Sequence, residues 1–423
     1  MDFEALETAA RQQALRIAAG ALERWLNADT SDHTGSQLPC ACGAQAQYRG
    51  RHEKSLESVL GPLHLERAYY YCENCQSGFC PRDRALRLED FSLSPAVLRM
   101  VGSATTLVSF VESSALLREL AGIEVSAKQV ERAAEALGRE IAEDERQCTE
   151  PLTDIPVPPT LYLGIDGTGI PMRGSELVGR SGKQADGSGK TREVKLVTVW
   201  SAESQDENGI PIRDPGSVSY SAAIESAATL DTDPHYAEFT QRVLREATRR
   251  SFEQAPRPVV LGDGAVYIWN IAQELFPDAI QIVDRFHVKQ HLSDLAKAIY
   301  GPDTEPAKQW ASKRHEELDD GRWRPLFRAL NRHALRYAEV RKCVDYLKRN
   351  QHRMRYPEFH AQGLCTSTGV VEAGCKVAIG TRLKRTGMHW TLRGANAIIA
   401  LRCCKLSGRF EDFWERRAVQ KVA

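Results

Sequence analysis

Three acidic residues stand where metal-assisted phosphoryl chemistry would need them: Asp166 in LYLGIDGTGI, Asp263 in VVLGDGAVYI and Glu372 in STGVVEAGCK. The first two close apolar runs of β character, and the third opens a helix-like stretch far downstream. Carboxylates converging from separate elements can share two divalent cations, one activating a water or 3′-hydroxyl and the other steadying the leaving oxygen. Magnesium accepts this arrangement because it prefers oxygen ligands and keeps several waters, so few carboxylates suffice. Asp166 is the expected bridge between two Mg²⁺ (or Mn²⁺) ions, with Asp263 completing one site and Glu372 the other. Asp284 and His287 in IVDRFHVKQHL form an Asp-x-x-His pair at a strand-to-helix junction. It reads as a helix cap, as structural support near the acids, or as further metal chemistry.

A second constellation lies upstream. Cys40-x-Cys42 and Cys72-x-x-Cys75 are tight pairs about thirty positions apart, joined by a segment that reads as a β-hairpin turning at Gly61-Pro62. Two such knuckles supply the four soft ligands of one structural Zn²⁺, with Cys80 as a possible substitute ligand. Eleven cysteines, an odd count, fit a reducing compartment better than a disulfide framework.

The elements that must position these groups follow from periodicity. The first residues form an amphipathic helix whose apolar positions include Leu6, Ala10, Ile17 and Trp25, and polar residues 27–37 form a linker. Residues 91–148 are helical throughout. Within them a turn at Gly122 and an N-cap at Ser126 have helix-turn-helix spacing, which brings Lys128, Gln129 and Arg132 near the start of the second helix. The proline-rich stretch 151–159 is a boundary. Beyond it come a strand ending at Asp166, a Gly/Ser/Lys excursion over 174–190 expected to be mobile, and strands VKLVTVWSA and SVSYSAA. A helix, a strand ending at Asp263, a helix, the strand AIQIVD and another helix complete the run. The order β-β-β-α-β-α-β-α is that of an RNase H-like domain, in which the first and fourth strands lie side by side and bring their acids together. A charged helical stretch then intervenes before Glu372.

These readings divide the chain into an N-terminal helix and linker (1–37), a zinc-ribbon-like module (38–90) and a helix-turn-helix-like region (91–150). After them come an α+β or α/β catalytic core on a mixed five-stranded sheet (151–302), an α-helical insertion (303–362) and a last core segment (363–423).

The formal net charge is zero, which argues against a simple nucleic-acid coat. Charge distribution matters more. From Ala373 to Phe410 there is no Asp or Glu, while Lys376, Arg382, Lys384, Arg385, Arg393, Arg402, Lys405 and Arg409 all fall there. Such a local basic surface is what phosphate binding requires. No run approaches the ~18 apolar residues of a membrane span, and the acidic N-terminus is unlike a signal peptide. A cytoplasmic, nucleoid-associated protein is therefore expected.

The segments LYLGIDGTGIPM, VVLGDGAVYIWNIAQELFPDAIQIVDRFHV and STGVVEAGCKVAIGTRLKRTGMHW resemble the DDE transposases of bacterial insertion sequences. They are most similar to the Kra-type group and, more broadly, to the Mutator-like superfamily. The resemblance spans nearly the whole chain. It implies that Asp166, Asp263 and Glu372 are the catalytic triad and that Asp284-x-x-His287 is the superfamily's Asp/Cys-x-x-His signature. It also implies terminal-inverted-repeat DNA and target DNA as partners, and a homodimer or higher synaptic complex. Two competing functions remain on sequence grounds: an RNase H-like nuclease that cleaves without joining, and a non-catalytic DNA-binding regulator.

Overall fold

The Asp2 side chain accepts a hydrogen bond from the Ala5 N–H at 2.8 Å and so starts α1 (Phe3–Ala28). The computed structural model describes the chain except residues 1, 90, 152–155, 181–188, 208, 228–234, 368 and 421–423. It divides into two units, Met1–Ile141 with Arg409–Ala423, and Ala142–Gly408.

In the first unit, α1 packs Ala19, Leu22 and Leu26 on Leu56, Leu63, Leu65 and Leu88. This is not the face expected from sequence: Leu6, Ala10, Ile17 and Trp25 are all exposed. The helix is apolar on two sides, and Glu23 and Asn27, which bond the β3 backbone at His64 and Glu66, settle which side turns inward. The strands β1 (Gln37–Pro39), β2 (Gln45–Ser58), β3 (Gly61–Cys72) and β4 (Ser77–Phe79) form an antiparallel sheet in that order. The hairpin turn is made by Val59 and Leu60, two residues earlier than expected, and Gly61 already pairs with Ser58. A bulge between Tyr48 and Arg51 shifts the register, and there the buried set on β3 passes from Leu63 and Leu65 to Ala68, Tyr70 and Cys72.

Three short helices follow: α2 (Pro81–Leu86), α3 (Pro95–Thr105) and α4 (Phe110–Leu116). α4 opens with a capping box between Ser109 and Glu112 and runs on into a π turn, Leu117–Ala121. α5 (Ala127–Gln147) is started reciprocally by Ser126 and Gln129, as the sequence implies. It buries Val130, Ala133, Ala134, Leu137 and Ile141, one face of a 3.6-residue repeat, and leaves Lys128 and Arg132 outside.

The second unit is built on β5 (Thr160–Pro171), β6 (Thr191–Ser201), a short ribbon β7 (Ser204–Gln205) and β8 (Pro211–Ile212), and β9 (Ser219–Ala223). The elements α6 (Glu238–Arg249), β10 (Arg257–Gly262), α7 (Val266–Leu275), β11 (Ile280–Val283) and α8 (Arg285–Tyr300) complete it. A mixed five-stranded sheet results, ordered β11-β10-β5-β6-β9, with β11, β10 and β5 parallel and β5, β6 and β9 antiparallel. The unalternated runs VVLG and IQIV suit strands covered on both faces. β5 does not stop at Asp166. Its ladder with β6 continues from Leu161↔Ser201 to Pro171↔Thr191, so Asp166 sits mid-strand. Parts of the expected proline boundary (152–155) and of the Gly/Ser/Lys excursion (181–188) lie outside the described residues.

Four helices come next, α9 (Glu305–Asp319), α10 (Trp323–Ala334), α11 (Ala338–Asn350) and α12 (Tyr356–Ala361). After them α13 (Gly369–Gly374) passes through a π turn, Cys375–Gly380, into α14 (Thr381–Leu383), and α15 (Leu392–Leu406) packs along β9. The last helix, α16 (Phe410–Gln420), groups with the first unit, whereas the sequence reading places it with the core. Arg417 bonds Glu140 there at 2.6 Å.

A buried ionic knot ties α6 to β9 and the end of α5. Arg242 makes a two-pronged contact with Glu225 at 2.9 and 2.6 Å and reaches Glu145 at 3.0 Å and Ser221 at 2.9 Å. Removing one partner of such a pair strands a charge in low dielectric. Arg242→Met is therefore expected to destabilise the protein by roughly 3–5 kcal/mol in a denaturant melt. A loss below about 1 kcal/mol would show that water reaches the two glutamates.

Candidate functional site

Parallel pairing of β10 with β5, with Gly262 opposite Ile165, makes Asp263 and Asp166 neighbours across the strand pair. Asp263 begins the turn into α7, its Oδ1 accepting the Ala265 N–H at 2.9 Å. Asp166 accepts its neighbour Gly167's N–H at 2.6 Å. Burial pushes the Asp166 carboxyl above its usual range, and the Asp263 charge pushes the same way. The Gly167 N–H, the Cys375 thiol and His287 oppose them. A half-buried carboxyl raised by a second acid is an arrangement that a cation would relieve.

Asp284 is buried and caps α8, accepting the Phe286 N–H at 2.7 Å, while its own N–H bonds Gly262 O at 2.8 Å. His287 Nδ1 lies 3.6 Å from Asp284 Oδ2. Its imidazole is held above the usual histidine range, first by Asp284, against burial, and then by the charges of Asp263 and Asp166. Asp284 is thus the cap of α8 and the first partner of His287.

Glu372 arrives by a different route. Side chains alternate along β5, so Tyr162, Gly164, Asp166 and Thr168 share one face. α13 lies on that face: a Cβ on Gly164 would come within 2.1 Å of Val371 Cγ2, so only glycine admits the helix. A Cβ on Gly374 would stand 2.9 Å from Tyr220 and 3.1 Å from Leu196. This docking carries Cys375 to Asp166, to which its thiol hydrogen-bonds. Glu372, one turn earlier, acts on the same thiol but is solvent-exposed and pairs with Lys376 at 3.1 Å. Among the described residues, Asp166, Asp263 and Glu372 do not form a group whose ligand atoms lie within 4.8 Å of one another. Asp166, Asp263 and His287 do not form such a group either; they act on one another through charge, and Glu372 acts on the Cys375 thiol that bonds Asp166.

Two side chains at this site are missing from the sequence reading. Tyr346, on α11, donates to the Asp263 carbonyl at 2.9 Å and covers Gly264, whose φ of +95° and lack of a Cβ both require glycine. Cys375 could have been found from its place one turn after Glu372. Nothing in local pattern points to Tyr346, because it comes from the helical segment 305–361.

The basic residues sort unevenly. Lys384 donates to Thr168 Oγ1, on the Asp166 face, and Arg385 and Arg393 are exposed. Arg382 is a correction: it is fully buried over the Trp390 ring, 5.2 Å from its centroid, and is no surface cation. Arg402 is buried too, donating to Ala378 O at 2.8 Å and Thr381 Oγ1 at 2.8 Å. Arg402 thus ties the π turn to the start of α14, and Arg382 holds α14 to Met388 and Trp390.

In the first unit, Cys40, Cys42, Cys72 and Cys75 bring all four sulfurs within 4.8 Å of one another. The Cys40–Cys75 and Cys42–Cys72 separations are both 3.6 Å. Sulfurs about 2.3 Å from a tetrahedral zinc would stand about 3.8 Å apart, so the quartet fits such an ion. The Ala44 N–H and the Asn74 amide draw the Cys42 thiol below its ordinary range, and the Ser77 hydroxyl does so for Cys75. Cys80 stands outside the group.

No family model and no curated protein matches this chain. Among solved structures, the Drosophila P element transposase strand transfer complex aligns over 75% of this chain and 80% of that one. Its 10% identity and TM-score of 0.27 are too slight a likeness to bear on fold or activity. Among the described residues no helix is long and apolar enough to cross a membrane.

Proposed function

We propose that the chain is a DDE transposase with an RNase H-like core, cleaving the ends of an insertion element and joining the 3′-hydroxyl to target DNA. The observation that carries the reading is the pair Asp166 and Asp263 at neighbouring positions of adjacent parallel strands of the mixed sheet, with His287 feeling both charges and α13, which bears Glu372, docked on the Asp166 face. Two Mg²⁺ or Mn²⁺ ions, when bound, would activate the attacking oxygen and neutralise the leaving one. In this reading Asp166 and Asp263 would hold those ions, and the Asp263 turn is kept in place by Tyr346. Glu372, paired with Lys376, would complete the carboxylate set that holds the cations. The cysteine quartet holds one structural Zn²⁺ that stiffens β1–β4, and Lys128 and Arg132 on α5 face DNA.

Joining is the decisive assay. Protein, Mg²⁺ and pre-cleaved element ends incubated with supercoiled plasmid should yield joined product. Cleavage without joining would favour a nuclease instead, and Mg²⁺-independent binding without cleavage a regulator. Lys384→Ala with Arg385→Ala should weaken binding evenly across sequences and reduce the slope of log affinity against log salt by about 1–2. An unchanged slope would move the phosphate contacts elsewhere.

A further inference from the structure

The Asp263 carboxylate leaves the chain in the junction 263–265, between the end of β10 at Gly262 and the start of α7 at Val266. Its direction is set by the two peptide planes that flank its Cα. The preceding plane is fixed where Gly262 O accepts the Asp284 N–H at 2.8 Å. The following plane is fixed where the Asp263 carbonyl accepts the Tyr346 hydroxyl at 2.9 Å. With both planes held, the Cα–Cβ bond has one direction, and the Ala265 N–H on Oδ1 at 2.9 Å orients the carboxylate itself. The Tyr346 bond is the vulnerable anchor. It is followed by Gly264 at φ +95°, a residue with many other conformations open to it once nothing holds the plane. Tyr346 is seated for this task. Its Cε2 lies 2.5 Å from where a Gly264 Cβ would stand, and its ring packs on the His291 imidazole, 5.2 Å between centroids. His291 belongs to α8, the helix that Asp284 caps, so both anchors trace to one element.

We propose that Tyr346 is a positioning residue for divalent cations: by fixing the peptide plane after Asp263 it sets their affinity, and it makes α11 a working part of the cation site. The inference rests on the proposed role of Asp263 as a cation ligand. Magnesium demands near-ideal octahedral geometry, so a carboxylate displaced by about 0.5 Å or turned by about 20° holds it worse. Side chains that orient a ligand without touching the ion typically contribute roughly ten- to hundredfold in affinity. A phenol keeps its proton at neutral pH and is therefore a dependable donor to the carbonyl. The hydroxyl and the ring have separate work: the hydroxyl holds the plane, and the ring covers Gly264 and seats the helix.

Binding of Mn²⁺ to the full chain, without DNA, can be followed by loss of the free ion's electron paramagnetic resonance signal. Tyr346→Phe keeps the ring on Gly264 and His291 and removes only the donor. It should bind Mn²⁺ about tenfold more weakly than the parent, while its melting temperature in EDTA stays within about 4 °C. Tyr346→Leu removes ring and hydroxyl and should melt lower as well, so phenylalanine restores the fold but not the affinity. In the joining assay Tyr346→Phe should need about tenfold more Mg²⁺ for half-maximal product and regain the parental rate at saturation. Asp263→Asn is the control and should lose more Mn²⁺ affinity than Tyr346→Phe. Parental affinity in Tyr346→Phe beside a loss in Asp263→Asn would overturn the positioning role and leave Asp263 a ligand. So would a joining rate that Mg²⁺ does not restore. A parent that binds no Mn²⁺, or Asp263→Asn binding it as the parent does, would remove Asp263 from the cation site and the proposal with it.

Discussion

Asp263→Asn is expected to lose strand transfer by at least ~10³-fold while binding element-end DNA as the parent does. Asparagine keeps the size of the side chain and the oxygen that accepts the Ala265 N–H, so the turn should survive and only the charge is lost. Asp166→Asn should be equally inactive, with a further signature. The folded-state Asp166 carboxyl lies above its usual range, chiefly through burial, so ionisation there opposes folding. Its stability contribution is full below the unfolded-state value and is lost as pH rises through the folded-state one. At neutral pH in EDTA, the neutral amide should therefore leave the melting temperature unchanged or raise it by a few degrees. Loss of activity with gain of stability is what a functional acid shows, since strain is tolerated where chemistry needs it. Retained joining in either variant would remove that residue from the site. A fall of more than about 5 °C for Asp166→Asn would make it a structural residue instead.

The second large effect concerns the cysteine quartet. Protein purified without chelator should carry one zinc per chain, and Cys72→Ser should lose it. Cys72 is fully buried between Ala68, Tyr70 and Ala46, so metal and hairpin core fold as one unit. Chelation or Cys72→Ser should lower the melting temperature of the first unit by at least about 10 °C and abolish end-DNA binding. Cys80→Ser should retain metal and stability, because its sulfur lies outside the group. Zinc-free protein with an unchanged melt would refute the metal centre, and zinc loss in Cys80→Ser would reassign a ligand.

Sequence by itself determined the features that depend on near neighbours. The pairs Cys40/Cys42 and Cys72/Cys75, spaced for the two ends of a hairpin, named the four sulfurs that the fold brings together. The apolar runs before Asp166 and Asp263 located β5 and β10, and the N-cap Ser126 located the start of α5. Each rests on local periodicity or a cap, in which the residues that decide are the residues that touch. Tertiary structure decided the rest. β5 outruns Asp166 because β6 offers it a longer ladder, and pairing length is settled by the partner strand. Arg382 leaves the basic surface because Trp390 folds back over it. α1 turns Leu22 and Leu26 inward because the hairpin presents bonds to Glu23 and Asn27, and the stripe that looked like a core face is left in solvent. Tyr346 reaches the Asp263 turn across 83 residues, a distance in sequence over which composition and period carry no information. Choices among compatible partners are made by packing, and packing exists only once the chain has closed on itself.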